Sequence, residues 1–142
     1  MGTYIFLPHT ADEKFLVTAS SLEDGFATSV EAFYEILLGK EIVVKHSTTQ
    51  DIAVSAKKKE SLLYDFLNEL VYLLDESDLL LPYVDKLVIE KKDDMFCLQA
   101  TLSGDKRFDY ALITEIKNMT YNEMSIVEKE DGSCELAVVV DI

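Results

Sequence analysis

Two stretches of this chain carry groups that could hold a hard cation. Asp141 is followed by Ile142, so a side-chain carboxylate and the α-carboxylate of Ile142 lie one residue apart. Two negative groups that close repel unless something positive sits between them. An all-oxygen cluster of this kind suits a hard divalent ion such as Ca²⁺ or Mg²⁺. The second stretch is Pro8-His9-Thr10-Ala11-Asp12, a polar break between two β-prone runs. Each also has a plainer reading. Thr10 or Asp12 can hydrogen-bond turn amides, and a penultimate Asp is usually solvated. The spacing alone does not bring Asp12 to Asp141.

Other chemistry is thin. The five glycines form neither GxGxxG nor GxxxxGK[ST], so phosphate cradles of those types are missing. No HExxH and no GxSxG occur. His46 sits in the polar run His46-Ser47-Thr48-Thr49-Gln50 and reads as surface. Glu69 and Asp75 read as polar-face or capping residues of a core helix, and Lys117 as an exposed lysine. Cys97 and Cys134 form no CxxC and sit in alternating apolar runs, so both read as small buried or half-buried hydrophobes, which fits a reducing cytoplasm. Asn118-Met119-Thr120 matches a glycosylation sequon, but the N-terminus shows no secretory signal.

The elements that must position these residues follow from periodicity. Tyr4–Leu7 and Lys14–Ala19 read as strands, the second with Phe15, Val17 and Ala19 on one face. A first helix over 21–38 carries the stripe Leu22, Phe26, Val30, Phe33 and Leu37, ended by Gly39. Ser20 with Glu23 has capping-box spacing, and Ser21 with Asp24 a weaker form of it. Glu41–Lys45 and Asp51–Ala56 read as strands. A second helix over 59–75 has a wide apolar face that includes Leu63, Phe66, Leu67 and Leu70, which makes it the central core helix. Lys86–Lys92, Met95–Leu102, Ser125–Glu130 and Cys134–Asp141 complete the strands, the last two joined by a two-residue turn at Asp131-Gly132. The expectation is an α+β fold, an antiparallel β-sheet structure with two packed α-helices, forming a single domain over 1–142.

Composition narrows the function classes. The 142 residues carry a net charge of −14, and 49% are hydrophobic, which is globular. The acid is spread along the chain with no tail. So acidic a surface is a poor grip for a phosphate backbone, and strong direct nucleic-acid binding is not expected. The longest apolar run, Leu70–Leu74, is too short to span a bilayer, and the expected location is the cytoplasm.

Several segments in order resemble the archease family. Phe6-Leu7-Pro8-His9-Thr10-Ala11-Asp12 resembles its His-Thr-Ala-Asp hallmark, and Ser21-Leu22-Glu23-Asp24-Gly25-Phe26 its first helix. Residues Leu62–Asp75 are similar to its second helix almost throughout. Glu115-Ile116-Lys117 with Thr120-Tyr121, and the ending Val138-Val139-Val140-Asp141-Ile142, match its later motifs. The resemblance covers nearly the whole chain, whose length fits a complete member. The chain departs from the family where Asn122 replaces a histidine, where Asn118 and Met119 replace small apolar residues, and where 106–113 is short and lacks a His-rich loop.

The resemblance implies an archease fold and an accessory protein, not an enzyme. Archeases serve the RtcB-type tRNA-splicing RNA ligase, which guanylylates itself on histidine using GTP and metal before joining RNA ends. They promote guanylylation and multiple turnover, and can broaden nucleotide use. The implied metal site comprises Asp12, Asp141 and Ile142, holding a divalent cation, calcium first, with magnesium or manganese as alternatives. No catalytic or organic-cofactor residues are implied. The ligase is the implied partner, with a tRNA methyltransferase as a second one. Two readings compete: a stand-alone metal-dependent hydrolase or transferase, and an acidic nucleic-acid mimic. The first lacks a convincing general base or nucleophile beside the acids.

Overall fold

The computed structural model describes residues 2–7 and 12–142. In chain order the elements are β1 (Gly2–Leu7), β2 (Asp12–Ala19), α1 (Leu22–Leu38), β3 (Thr48–Ala56), α2 (Lys59–Ser77), β4 (Leu79–Lys92), β5 (Met95–Lys106), a 3-10 turn at Arg107–Asp109, β6 (Asn118–Glu128) and β7 (Cys134–Asp141). The strands form two antiparallel sheets, ordered β1-β2-β7-β6 and β3-β5-β4. The α+β expectation holds, with the strands divided between two sheets. Each helix touches strands of both: α1 packs on β1, β2 and β4, and α2 on β3, β4 and β6. No helix among the described residues is long and apolar enough to cross a membrane.

The helices form where periodicity places them. Phe26, Val30, Phe33 and Leu37 are fully buried along α1, and Leu62, Leu63, Phe66, Leu67 and Leu70 along α2. Phe26 stacks on Phe66 with ring centroids 6.1 Å apart, joining the two helices at the centre of the core. The weaker of the two capping patterns is the one used. Ser21 is the N-cap and its hydroxyl accepts the Asp24 N–H at 3.1 Å, while the Ser20 hydroxyl donates to the Asp24 carboxylate at 2.7 Å. Gly39, at φ 82°, ends α1 with its N–H donating to the Glu35 carbonyl. Lys58 caps α2 with no side-chain bond, so this helix depends on its buried face and not on its end.

Four expectations need correction. Glu41–Lys45 is not a strand. Its backbone is tied individually: Lys45 N–H donates to the Tyr110 hydroxyl, and the Val44 carbonyl accepts from the Tyr83 hydroxyl at 2.6 Å. With these groups satisfied by side chains, no ladder is required. The β6–β7 connection is not a two-residue turn. Gly132 N–H donates to the Lys129 carbonyl, and Gly132 has φ 89°, so Glu130, Asp131 and Gly132 form a longer loop. Several strands also extend beyond their apolar runs, β6 beginning at Asn118 and β4 at Leu79. Finally, the sequence puts Pro82 near a strand end, ahead of Lys86–Lys92, whereas it lies inside β4 at a register break between Leu80 and Tyr83 on an edge strand, where its missing N–H costs nothing. Gly104 faces that break, and a side chain there would collide with the Leu80 carbonyl oxygen.

Two outcomes follow from these contacts. Ser21→Ala should lower unfolding free energy by about 1 kcal/mol in urea titration, and Ser20→Ala by less, since only Ser21 satisfies a helix-end donor. The second concerns pH. Hydrogen bonds from the Ser47 hydroxyl, the Tyr110 hydroxyl and the Lys106 N–H hold the Asp105 carboxyl below the usual carboxylate range. A folded pKa below the unfolded one gives stability that is present above the unfolded pKa and lost as pH falls through the folded one. The 40–47 segment should therefore loosen on acidification below the usual carboxylate range, read as faster amide exchange at Lys45 and Ser47, and Asp105→Asn should remove that dependence.

Candidate functional site

The β2–β7 pairing is set by its apolar side. Phe15 opposes Val138, Val17 opposes Leu136 and Ala19 opposes Cys134, and all six are buried. A slip by one residue would turn Phe15 out of the core, so the register is strongly specified. That register places Asp12 directly opposite Asp141, and β6 adds Asn118 opposite Asp141 on its other side. Asp12, Asp141 and Asn118 thus form a row across three strands. By strand alternation the row falls on the face that Phe15, Val17, Leu136 and Val138 leave.

Asp12, Asp141, Asn118, Met119, Thr120, Asn122 and Tyr64 line a cavity of about 390 Å³. Two features shape it. Register on β6 breaks between Thr120 and Ser125, and Glu123 within the break has φ 58°, an unusual value for a side chain of this kind. Asn122 N–H donates to the Thr120 hydroxyl oxygen at 3.0 Å, holding the bulge. The Lys14 ammonium, two residues along from Asp12, meets the Glu123 carboxylate at 2.9 Å. Tyr121 stacks on Tyr64 of α2 at 3.9 Å, nearly parallel, closing the side toward the helix. Below, the Met119 N–H donates to the Asn68 side-chain oxygen at 3.2 Å and the Lys117 N–H to the Asp141 carbonyl at 2.9 Å.

The donor set is chemically coherent for a hard cation. Directly opposed residues of an antiparallel pair hold their Cβ atoms about 4.5–5.5 Å apart, which lets two carboxylates share one ion with oxygens at about 2.3–2.6 Å. The Asn118 amide and Thr120 hydroxyl add oxygens around the same cavity. Among the described residues no three His, Cys, Asp or Glu side chains cluster so as to hold an ion. Ile142, half-buried against the core, is not among the residues that line this cavity, so its α-carboxylate belongs to the ligand set the resemblance implies. The lining residues offer oxygens of the kind a hard divalent ion takes.

The remaining singled-out residues lie elsewhere. His9 and Thr10 fall outside the described residues. His46 stacks on Tyr83 at 3.7 Å, with its Nδ1 3.1 Å from the Ser103 hydroxyl. Asp75 lines a different cavity with Arg107, and Lys117 is exposed. Cys97 is half-buried and Cys134 buried, both as free thiols. The sequence did not assign Tyr64, Thr120 or the bulge to the site, and Asn118 read there as part of a sequon and as a departure from the family's small apolar residues. Starting β6 at Ser125 hid the polar head of that strand.

The chain was compared with known proteins. The family model described as "Archease protein family (MTH1598/TM1083)" matches residues 4–142. A protein archease of Methanosarcina mazei is 32% identical over 141 residues, covering 98% of this chain and 95% of its own length. A protein archease of Pyrococcus furiosus is 34% identical over 137 residues, covering 94% of each chain. The solution structure of Methanobacterium thermoautotrophicum protein 1598 superposes with a TM-score of 0.81 at 26% identity, covering 98% of each chain.

Like charges directly across a strand pair destabilise it. In metal-free buffer Asp141→Asn should therefore raise unfolding free energy by about 0.2–1 kcal/mol, measured by denaturant titration at low salt, and the gain should shrink as salt is added.

Proposed function

This chain belongs to the archease family, and from that premise we propose that it activates an RtcB-type tRNA-splicing RNA ligase, promoting guanylylation and multiple turnover in tRNA splicing or RNA repair. In this reading it is an accessory protein without ligase chemistry of its own. Asp12, Asp141 and the Ile142 α-carboxylate hold a divalent cation, calcium first and magnesium or manganese otherwise. The observation that carries the metal half is the cross-strand pairing of Asp12 with Asp141 at one cavity. The ligase half rests on the family resemblance. A tRNA methyltransferase is a second candidate partner, and a cytoplasmic setting accompanies the reading.

The physical logic is positional. Asp12 and Asp141 present two fixed negative oxygens on a rigid sheet face. Asn118 and Thr120 supply neutral oxygens, and the Tyr64–Tyr121 stack walls the cavity toward α2. A bound divalent ion would neutralise the paired acids and offer an open coordination position to a partner's anionic groups. The chain's own residues would orient that position and would neither donate nor accept the reacting phosphoryl group.

Two measurements check this. Calorimetric titration with CaCl₂ should show binding, and CaCl₂ should raise the melting temperature of the wild-type chain but not of Asp12→Asn. The second is a ligation assay with the ligase of the same organism. The chain alone should neither join nor cut RNA, yet should speed guanylylation and turnover. Asp12→Ala should abolish stimulation while the fold persists, and Asp12→Glu should impair it, since an added methylene shifts the ligand oxygen. Pre-guanylylated ligase in a single turnover should barely respond. Acceleration of that joining step, or stimulation surviving loss of both Asp12 and Asp141, would leave a charge-mediated chaperone as the better account.

A further inference from the structure

Away from the acidic row, a cavity of about 640 Å³ lies between β1 and the C-terminal half of α1. Tyr4 and Phe6 of β1, Glu31, Tyr34 and Glu35 of α1, and Tyr83 of β4 form its walls. Ile5 and Ile42 stand on its rim, 57% and 41% exposed. The wall is therefore aromatic, the rim aliphatic, and the charge acidic. Neither glutamate has an ion-pair partner among the described residues. The Tyr4 hydroxyl donates to Glu35 Oε1 at 2.7 Å, which orients that carboxylate and leaves Oε2 for a second donor. Partial burial pushes the Glu31 carboxyl above the usual glutamate range, though the residue itself stays exposed. Lys40 is the single cation among the lining residues, and it pairs with neither acid.

The strand beside this cavity is also incomplete. Among the described residues β1 is the edge of its sheet and pairs with β2 alone. An unpaired edge is a template for a further strand. On a strand added there, side chains facing the same way as Tyr4 and Phe6 would hang over the cavity. The others would run beside Ile5.

We propose that this groove receives an extended segment of a partner protein, added as a strand on β1, with an arginine or lysine set between apolar residues. The cation enters the cavity to meet Glu31 and Glu35, and the apolar neighbours cover Ile5 and Ile42. A guanidinium suits the walls best, because its plane can stack on a tyrosine ring while its edge donates to both carboxylates. The strand itself cannot serve as its own partner in a second copy, because Gly2–Leu7 carries no basic residue. This site is separate from the Asp12–Asp141 row, so its failure leaves the metal-linked reading untouched.

The test uses the whole chain and three synthetic peptides. One alternates arginine with valine, one alternates glutamate with valine, and one is the arginine peptide interrupted by proline. Fluorescence anisotropy and amide chemical shifts are read at moderate salt. The arginine peptide should bind, with shifts confined to β1 and the 31–40 region. The other two should not bind. Glu31→Lys with Glu35→Lys should weaken the arginine peptide by at least about tenfold and should gain binding of the glutamate peptide. Glu31→Gln alone, on a solvent-accessible helix position, serves as the milder variant and should weaken binding without altering the melting temperature. Asp141→Asn should leave the affinity unchanged. Equal binding by the charge-reversed chain, shifts spread over the acidic surface, or equal binding of the proline peptide would overturn the proposal. So would dimerisation of the chain through β1 that the peptide cannot displace.

Discussion

The register between β2 and β7 is the constraint on which this molecule turns. These are the two central strands of their sheet, and the observed alignment buries Phe15, Val17, Leu136 and Val138 together, β2 alternating in burial while β7 is buried on both faces from Leu136 to Val140. Everything at the acidic end of the sheet inherits that alignment. Asp12 meets Asp141 because Phe15 must meet Val138, three residues further in. The two aspartates are thus placed by apolar residues three positions away along each strand.

The helices supply the second half of that constraint. A sheet with one apolar face needs a cover, and here each helix is shared between two sheets. The wide apolar face of α2 is what allows sharing: Leu62, Phe66 and Leu70 form one row and Leu63, Leu67 and Leu74 its neighbour, all buried. One consequence reaches the site. Asn68 and Tyr64 lie on the same helix, and they grip β6 at Met119 and Tyr121, the start and the bulge of that strand. Core packing of α2 therefore also fixes the side wall of the cavity.

Much of this was legible in the chain. Periodicity located both helices, because burial at i, i+3 and i+4 leaves a strong trace in Phe26, Val30 and Phe33. Alternation gave the faces of β2 and β7. What stayed hidden depended on partners distant in sequence. Glu41–Lys45 has strand-like residues, but Tyr83 and Tyr110 occupy its backbone groups, and no local pattern announces that. Asn118 and Thr120 head a strand whose apolar portion comes later, so polarity masked its beginning. The pairing of Asp12 with Asp141 is a register fact across 129 positions, and a single sequence does not state which strands are neighbours. The family resemblance pointed to those residues, and the register gives a physical reason they come together.

The energetics explain why this register holds with two acids directly opposed across it. Two unit charges 5 Å apart repel by about 3 kcal/mol at an effective dielectric of 20, and by less at a half-exposed position. Burying each large apolar side chain of the β2–β7 seam is worth about 1.5–3 kcal/mol. With Phe15, Val17, Leu136 and Val138 all on that seam, the apolar term wins severalfold, and the strands cannot slide to separate the acids. Positions held this way are fixed by the backbone register and do not depend on the acids themselves. The same core that sets the fold thereby also sets where Asp12 and Asp141 stand, at one end of the sheet.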